Sequence, residues 1–439
     1  MTDTASPAYR RLHAAHRPAA DGKPVSGMIH RLCRAAVLAR LSRLASGRIT
    51  IIDCDGQRYP CGQADSGLHA TLTVLASEFW FEVACRGTIG AGEAYMAGAW
   101  TVDDLTTLVR VLANDLGTAD RLERGLARLS VPVFRLLHLL ARNTRSGSRR
   151  NISAHYDLGN AFFALFLDPT MMYSCAYFSH PEATLHEASV AKLERVCRQL
   201  ALAPGDRVIE IGCGWGGFAI HAASRYGCQV TTTTISREQY DFAVERVRTA
   251  GLAGQVEVLL SDYRDLSGRY DKLVSIEMIE AVGHQYLDTF LERCSRLLTD
   301  QGVMMLQCIT MADQRYRQAC ASVDFIQAHV FPGSFLPSLT AILSSLTAVT
   351  DLRLVELADI TPHYARTLAH WRTRFLAQLE QVRSLGYSEE FIRMWDFYLC
   401  YCAGGFHERC IGTVQMLIAK PAHRQSDELS LNRASRLPA

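Results

Sequence analysis

The stretch DRVIEIGCGWGG, residues 206–217, decides the fold. Val208, Ile209 and Ile211 give the near-continuous apolar run of a strand buried on both faces. Glycines follow at 212, 214, 216 and 217, and then GFAIHAASRY, apolar at helical spacing. The passage reads as strand, tight loop and a helix starting near Gly217. Glycines let such a loop turn sharply and come close to a ligand. Working outward, CQVTTTTIS reads as a strand, REQYDFAVERVRTAG as a helix and QVEVLLSD as a strand. YDKLVSIEMIEAV reads as a strand running into a helix, YLDTFLERCSRLLTDQG as a helix and VMMLQCIT as a strand. Alternating β and α units with short connections predict an α/β fold, a mostly parallel sheet with helices on both faces.

Upstream the pattern differs. MIHRLCRAAVLARLSRLAS, 28–46, reads as an amphipathic helix with Arg31, Arg34, Arg40 and Arg43 among apolar positions. It suits core packing first and a membrane surface second. Segments 47–59 and 68–86 read as strands, and 89–115 as a glycine-rich turn leading into helices. The polar, basic stretch ARNTRSGSRRNIS, 141–153, is the best boundary. The expected division is a disordered 1–26, a smaller α+β domain over 27–145, the main domain over 146–423 and a flexible tail over 424–439.

A chain of 439 residues, 49% apolar, has room for two domains with a sizeable core. A net charge of +2 gives no bias towards nucleic acid. Two windows depart from that average: residues 1–50 carry nine Lys/Arg against two Asp/Glu, and 120–150 carry eight against two. Both suit an anionic surface as well as an ordinary solvated helix. The 14 cysteines lack CxxC pairs, so no metal is expected and the thiols should be reduced. Residues 1–25 lack an apolar signal region, and no run of about 18 apolar residues exists to span a bilayer. The expected location is cytoplasmic, with any lipid substrate reached from the water side at the inner face of the membrane.

A dinucleotide site wants an acid about 20 residues beyond its glycine loop, at the tip of the second strand. Here that tip is Thr233-Thr234-Ile235-Ser236, neutral. A loop of the form E-x-G-x-G-x-G, with Glu210 inside the strand end, instead looks like S-adenosylmethionine binding. That ligand has no phosphate, and its amino-acid end can meet a carboxylate.

Further motifs narrow the reading. HYDLGNAFFALFLDPTMMYSCAYF (155–178) precedes the loop; TTTISREQ (232–239), SIEMIEAVGHQYL (275–287) and VFPGSFLPSL (330–339) follow it; YCAGGFHERCIGTVQMLIAKP (401–421) closes the chain. In this order they resemble the cyclopropane-fatty-acid synthase family, its plant-like and actinobacterial branch most closely, specifically over 153–421 and more weakly over 47–115. The resemblance implies a Rossmann-like class I methyltransferase sheet. It implies methyl transfer from S-adenosylmethionine to a cis double bond of an unsaturated phospholipid acyl chain, transient membrane contact, and a homodimer. It also implies a bound bicarbonate that removes one proton from a carbocation-like centre.

Residue by residue, the resemblance assigns the bicarbonate set to Cys175 and Ile309 through their amides, and to Glu280, Gln307 and Tyr364. It assigns the cofactor set to Tyr173, Ser174, Gly212, Gly214, Thr234, Ile235, Ser236 and Gln239, with Tyr263 beside the adenine and Asp262 meeting its amino group. Tyr156 is expected to line the site. Phe331-Pro332-Gly333 and Gly404-Gly405-Phe406 are expected to shape the acyl channel, or else to be aromatic core. Many relatives carry His at the positions of Gln307 and Ala281. Gln cannot titrate near neutral pH, so Gln307 positions an anion but is no base. A ring, a methylene or a later methyl branch all remain open as products. A catalytically inactive lipid binder and a small-molecule methyltransferase are the competing readings. The crowding of Phe162, Phe163, Phe166, Met171 and Met172 speaks against a polar acceptor.

Overall fold

The computed structural model describes residues 27–63, 67–115, 143–144, 147–148 and 158–424. Residues 1–26, the basic segment 116–142, Tyr156 and the last fifteen residues lie outside the described residues.

The chain builds two sheets. The first has the order β2-β1-β3-β4, from β1 (Arg48–Ile52), β2 (Arg58–Gly62), β3 (His69–Val74) and β4 (Trp100–Val102). Helix α1 (Gly27–Leu41) packs on it through Cys33, Val37 and Leu41. Residues 78–86, expected as strand, lie in helix α2 (Glu78–Met96) instead. Phe79, Trp80, Val83 and Ala84 are buried, a spacing of one helical face that outweighs the β-propensity of the aromatics. Gly87, at φ 60°, kinks the helix, so the glycines at 90 and 92 sit within it rather than in a turn. Helix α3 (Leu105–Asn114) follows, capped by Asp104.

The second sheet carries the chemistry. Its strands are β5 (Arg207–Ile211), β6 (Gln229–Thr234), β7 (Val256–Leu260), β8 (Tyr270–Ile276), β9 (Leu298–Met311), β10 (Arg353–Asp359) and β11 (Ile411–Ala419). Their order is β10-β11-β9-β8-β5-β6-β7. Five strands run parallel, while β11 is antiparallel to β9 and to β10. Strand β5 lies between β6 and β8, where the order reverses; ligands of open α/β sheets bind at the carboxyl ends of strands at such a point.

Helix α4 (Asn160–Phe166) and α5 (Leu185–Gln199) precede the sheet. Helix α6 (Gly217–Tyr226) starts where the glycine spacing puts it, and α7 (Arg237–Thr249) follows β6. Strand β8 does not run directly into an α-helix: Glu277 breaks it at φ 49°, and two 3-10 turns, Ile279–Ala281 and His284–Tyr286, follow. Helix α8 (Leu287–Leu297) leads into β9. Helices α9 (Asp313–Ala321), α10 (Phe325–His329) and α11 (Leu339–Val349) lie between β9 and β10. Helices α12 (Thr361–Ala377), α13 (Leu379–Ser384) and α14 (Glu389–His407) precede β11.

The two sheets are not independent. One hydrophobic cluster runs from Ile49 and Leu72 of the first unit through Trp100 to Phe397, Cys400 and Phe406 on α14. Gly404 permits that approach, since a Cβ there would meet the Val109 side chain of α3 at 2.5 Å.

Candidate active site

A cavity of about 570 Å³ opens against the carboxyl ends of β5, β6 and β8 and continues into the first unit. At one end lie Gly212, Gly214, Glu210, Tyr173, Ser174, Thr234, Ile235, Gln239, Asp262 and Tyr263. At the other lie Ile49, Ile51, Leu72, Phe79 and Trp100. Phe331, Pro332, Tyr364, Tyr398, Gly405 and Phe406 stand along it, so most of the residues expected to shape an acyl channel do line it.

The glycine loop separates two uses of glycine. A Cβ on Gly214 would meet no protein atom within 4 Å, so that backbone faces open space. A Cβ on Gly217 would stand 2.6 Å from the Thr170 carbonyl, so Gly217 serves the packing of the segment that covers the loop. Arg246 ties this cover down by donating to the carbonyls of Thr170 and Trp215. Glu210 is buried and accepts from the Thr232 hydroxyl at 2.5 Å; burial pushes its carboxyl up to about 7. Thr234 donates to the Gln239 side chain at 2.9 Å and fixes it.

Two of the expected cofactor residues are engaged within the protein. Ser236 is not at the cavity; its hydroxyl caps α7 by accepting from the Gln239 amide. Asp262 lines the cavity, but both its oxygens take a fork from Arg264, at 2.8 and 2.7 Å. Its first partner is thus a guanidinium. Tyr263 stands edge-on to Phe290 with the Arg264 guanidinium over its ring.

The five residues expected around a bicarbonate do come together, but around the protein's own carboxylates. Glu277 Oε1 accepts from the Cys175 amide at 2.9 Å and from Gln307 Nε2 at 2.9 Å. Its Oε2 accepts from the Tyr364 hydroxyl at 2.6 Å. The Ile309 amide donates to Glu280 Oε1 at 2.5 Å. Four donors assigned to a free anion are therefore engaged by two side chains, and the residues do not fit the bicarbonate site that the resemblance implies. Cys175 and Gln307 are fully buried behind Glu277 and do not line the cavity, whereas Glu277, Glu280, Ile309 and Tyr364 do.

The support extends outward. Gln307 Oε1 accepts from Gln415 Nε2 at 2.9 Å, and Gln415 Oε1 from Arg195 Nε at 2.8 Å. This chain fixes the orientation of the Gln307 amide. Burial raises Glu277, but the hydrogen bonds from Tyr364, Gln307 and the Cys175 amide, with the positive Lys192, favour its charged form. The surface that Glu277 keeps is cavity surface, so the burial penalty still applies. Glu280 lacks that support: burial, then the charge of Glu277, push it up to about 8, and its Oε2 has no partner among the described residues.

Glu277 and Lys192 went unrecognised in the sequence. Glu277 lay inside the quoted SIEMIEAVGHQYL, and its signal was available: a carboxylate at the carboxyl end of a parallel strand beside the switch point. Lys192, whose ammonium donates to Ser174 at 2.8 Å while wholly buried, gave no signal, because a lysine in VAKLERVCR reads as a solvated helix face.

Residues 143–416 match the family described as mycolic acid cyclopropane synthetase, more than half of the chain. The chain belongs to this family. A tuberculostearic acid methyltransferase of Mycobacterium tuberculosis is 40% identical over 345 residues, 76% of this chain and 79% of that one. The cyclopropane-fatty-acyl-phospholipid synthase of Escherichia coli K12 is 36% identical over 355 residues, 80% and 88% of the two chains. A crystal structure of a mycolic acid cyclopropane synthase complexed with SAH and CTAB superposes with a TM-score of 0.58 at 33% identity, covering 62% of this chain and 98% of that one. As a cyclopropane synthetase family member, the protein is an S-adenosylmethionine-dependent methyltransferase with the Rossmann-like class I sheet. Among the described residues no helix is long and apolar enough to cross a membrane, and all 14 cysteines are free.

Proposed function

We propose that this protein transfers a methyl group to the cis double bond of an unsaturated acyl chain carried by a membrane phospholipid, and that the product closes to a cyclopropane. One observation carries the reading: a single cavity joins the glycine loop to the apolar interior of the first unit, past a cluster of carboxyls and aromatic rings. An alkene is a weak nucleophile, so alignment is the main lever and water must be kept out. S-adenosylmethionine supplies the electrophilic methyl. Tyr173, Glu210, Gly212, Gly214, Thr234, Ile235, Gln239, Asp262 and Tyr263 would hold it, with Ser174 steadied by Lys192. The rings of Tyr364, Tyr398 and Phe331 along the cavity, with the carboxylate of Glu277, suit a developing carbocation.

A second reading ends in a methylene or methyl branch. It is favoured by the name of the 40% identical relative, a tuberculostearic acid methyltransferase. The deciding experiment supplies methyl-labelled S-adenosylmethionine and vesicles of unsaturated or saturated phospholipid. Label is expected in the acyl chains of the unsaturated lipid alone, and proton NMR then separates a ring methylene from an exocyclic one. Label confined to soluble acceptors overturns both readings. Binding without turnover supports an inactive lipid binder.

The lipid is to be reached from the water side, at the inner face of the membrane. Helix α1 supports this, because Met28, Ile29 and Leu32 are exposed beside Arg31. Homodimer formation and the domain limits at 145/146 belong to the same proposal; size-exclusion chromatography with light scattering tests the first, limited proteolysis the second.

A further inference from the structure

We propose that Glu277 is the base of this reaction, its own carboxylate standing where a bound bicarbonate is expected. The proposal rests on the methyl-transfer reading above and names a residue for its last step. Three donors on three separate elements converge on this one carboxylate: the Cys175 amide from the cover segment, Gln307 from β9 and Tyr364 from α12. A carboxylate and a bicarbonate present the same planar pair of oxygens, so donors set for one serve the other. The side chain reaches the cavity because Glu277 leaves β8 in a left-handed conformation, φ 49°. A non-glycine residue held there costs about 1–3 kcal/mol, which surrounding contacts must outweigh, and such residues cluster at active sites. The Glu277 amide donates to the Gln307 carbonyl at 2.7 Å and locks the break in place.

A second anion does not belong beside this pair. Bicarbonate would have to displace the carboxylate from its three donors, or sit uncompensated against its charge. The two acids are also set apart in role. Glu277 has three donors from other elements and the buried Lys192 on its side, while Glu280, with the Ile309 amide donating to one oxygen, is pushed up by burial and by the charge of Glu277. The balance of the step is simple. The alkene's π pair forms the new C–C bond as the methyl–sulfur bond breaks, and its pair stays on sulfur. One C–H of the new methyl then gives its proton to a Glu277 oxygen, and that C–H pair closes the ring. The proton leaves to water when the cavity empties.

The test measures methyl transfer to unsaturated phospholipid vesicles in CO2-free buffer, with and without added bicarbonate. The wild-type rate should change less than about twofold. Glu277→Gln should lose about 100-fold or more, with no recovery in bicarbonate, because the amide still fills the site. Glu277→Gly should lose as much and regain about tenfold in bicarbonate, a rescue that a purely structural residue does not show. Thermal melting and S-adenosylmethionine binding of each variant confirm folding. A wild-type rate that collapses without CO2 and returns with bicarbonate overturns the proposal while leaving the methyl-transfer reading intact. A wild type that labels no acyl chain overturns both. Titration with 13C-bicarbonate needs no turnover: the wild type should show no saturable binding, and saturable binding overturns the proposal by itself.

Discussion

Gln307 shows how one side chain sets another's chemistry. Its Nε2 donates to Glu277 and its Oε1 is held by Gln415, so the donor cannot rotate away. Gln307→Leu removes a hydrogen bond to the charged form of Glu277 and leaves the burial penalty, so the Glu277 pKa should rise further. The acid limb of the methyl-transfer rate should move to higher pH, and pH–rate profiles of the two proteins measure it. Glu280 makes a prediction about stability instead. Its native pKa, about 8, stands above the ordinary glutamate value of 4.5. Between those values the native state holds a proton that the unfolded chain has released, so stability falls as pH rises through the window. Melting temperature should decline from about pH 4.5 to 8, and Glu280→Gln should flatten that slope. The sequence had placed both residues in the site. It missed Glu277, three residues before Glu280: both acids line the cavity, and the left-handed φ that aims Glu277 at Cys175, Gln307 and Tyr364, on three other elements, is not written in SIEMIEAVG.

The glycine loop was the most legible element. Strand, loop and helix fall where the apolar run and the glycines put them, because this turn needs positive φ at Gly212, Gly214 and Gly216. What each glycine does was not legible, since that depends on elements distant in sequence. Gly214→Ala adds a Cβ into open cavity space at φ 49°. It should cost about 1–2 kcal/mol in stability from the left-handed backbone, while S-adenosylmethionine affinity falls at least about tenfold. Gly217→Ala drives a Cβ towards the Thr170 carbonyl, so its main effect should be a lower melting temperature. Calorimetry of ligand binding beside thermal melts separates the two. Helix α2 was misread for a related reason: aromatic and β-branched residues suit either state, and only packing of its buried face on the first sheet and α14 selects the helix.

At the scale of the whole molecule, the first unit has two surfaces with separate work. Inward, it walls the far end of the cavity; outward, α1 shows Met28, Ile29 and Leu32 to solvent. The basic pattern of this stretch was plain in the sequence, but its four arginines, the last of them beyond the end of α1, do not act together. Arg34 turns inward to Asp53, a buried carboxylate that also accepts from Trp80 at 3.0 Å. Arg40 is half-buried, while Arg31 and Arg43 stay exposed. Reversing Arg34 would set a second acid against Asp53, so Arg34→Glu should cost stability on the order of 3 kcal/mol, and any loss of vesicle binding would be secondary to it. Leu32→Glu and Arg31→Glu touch only the outward surface. They should leave the melting temperature within about 1 °C, since exposed substitutions cost little, and weaken binding to anionic vesicles. The charge effect of Arg31→Glu should fade as salt is raised, because surface electrostatics are screened within about 10 Å at 0.1 M. The apolar effect of Leu32→Glu should persist. Vesicle co-sedimentation across a salt series, read beside melts of the same variants, checks this division; equal binding by all three variants and the wild type would remove α1 from the membrane-facing surface.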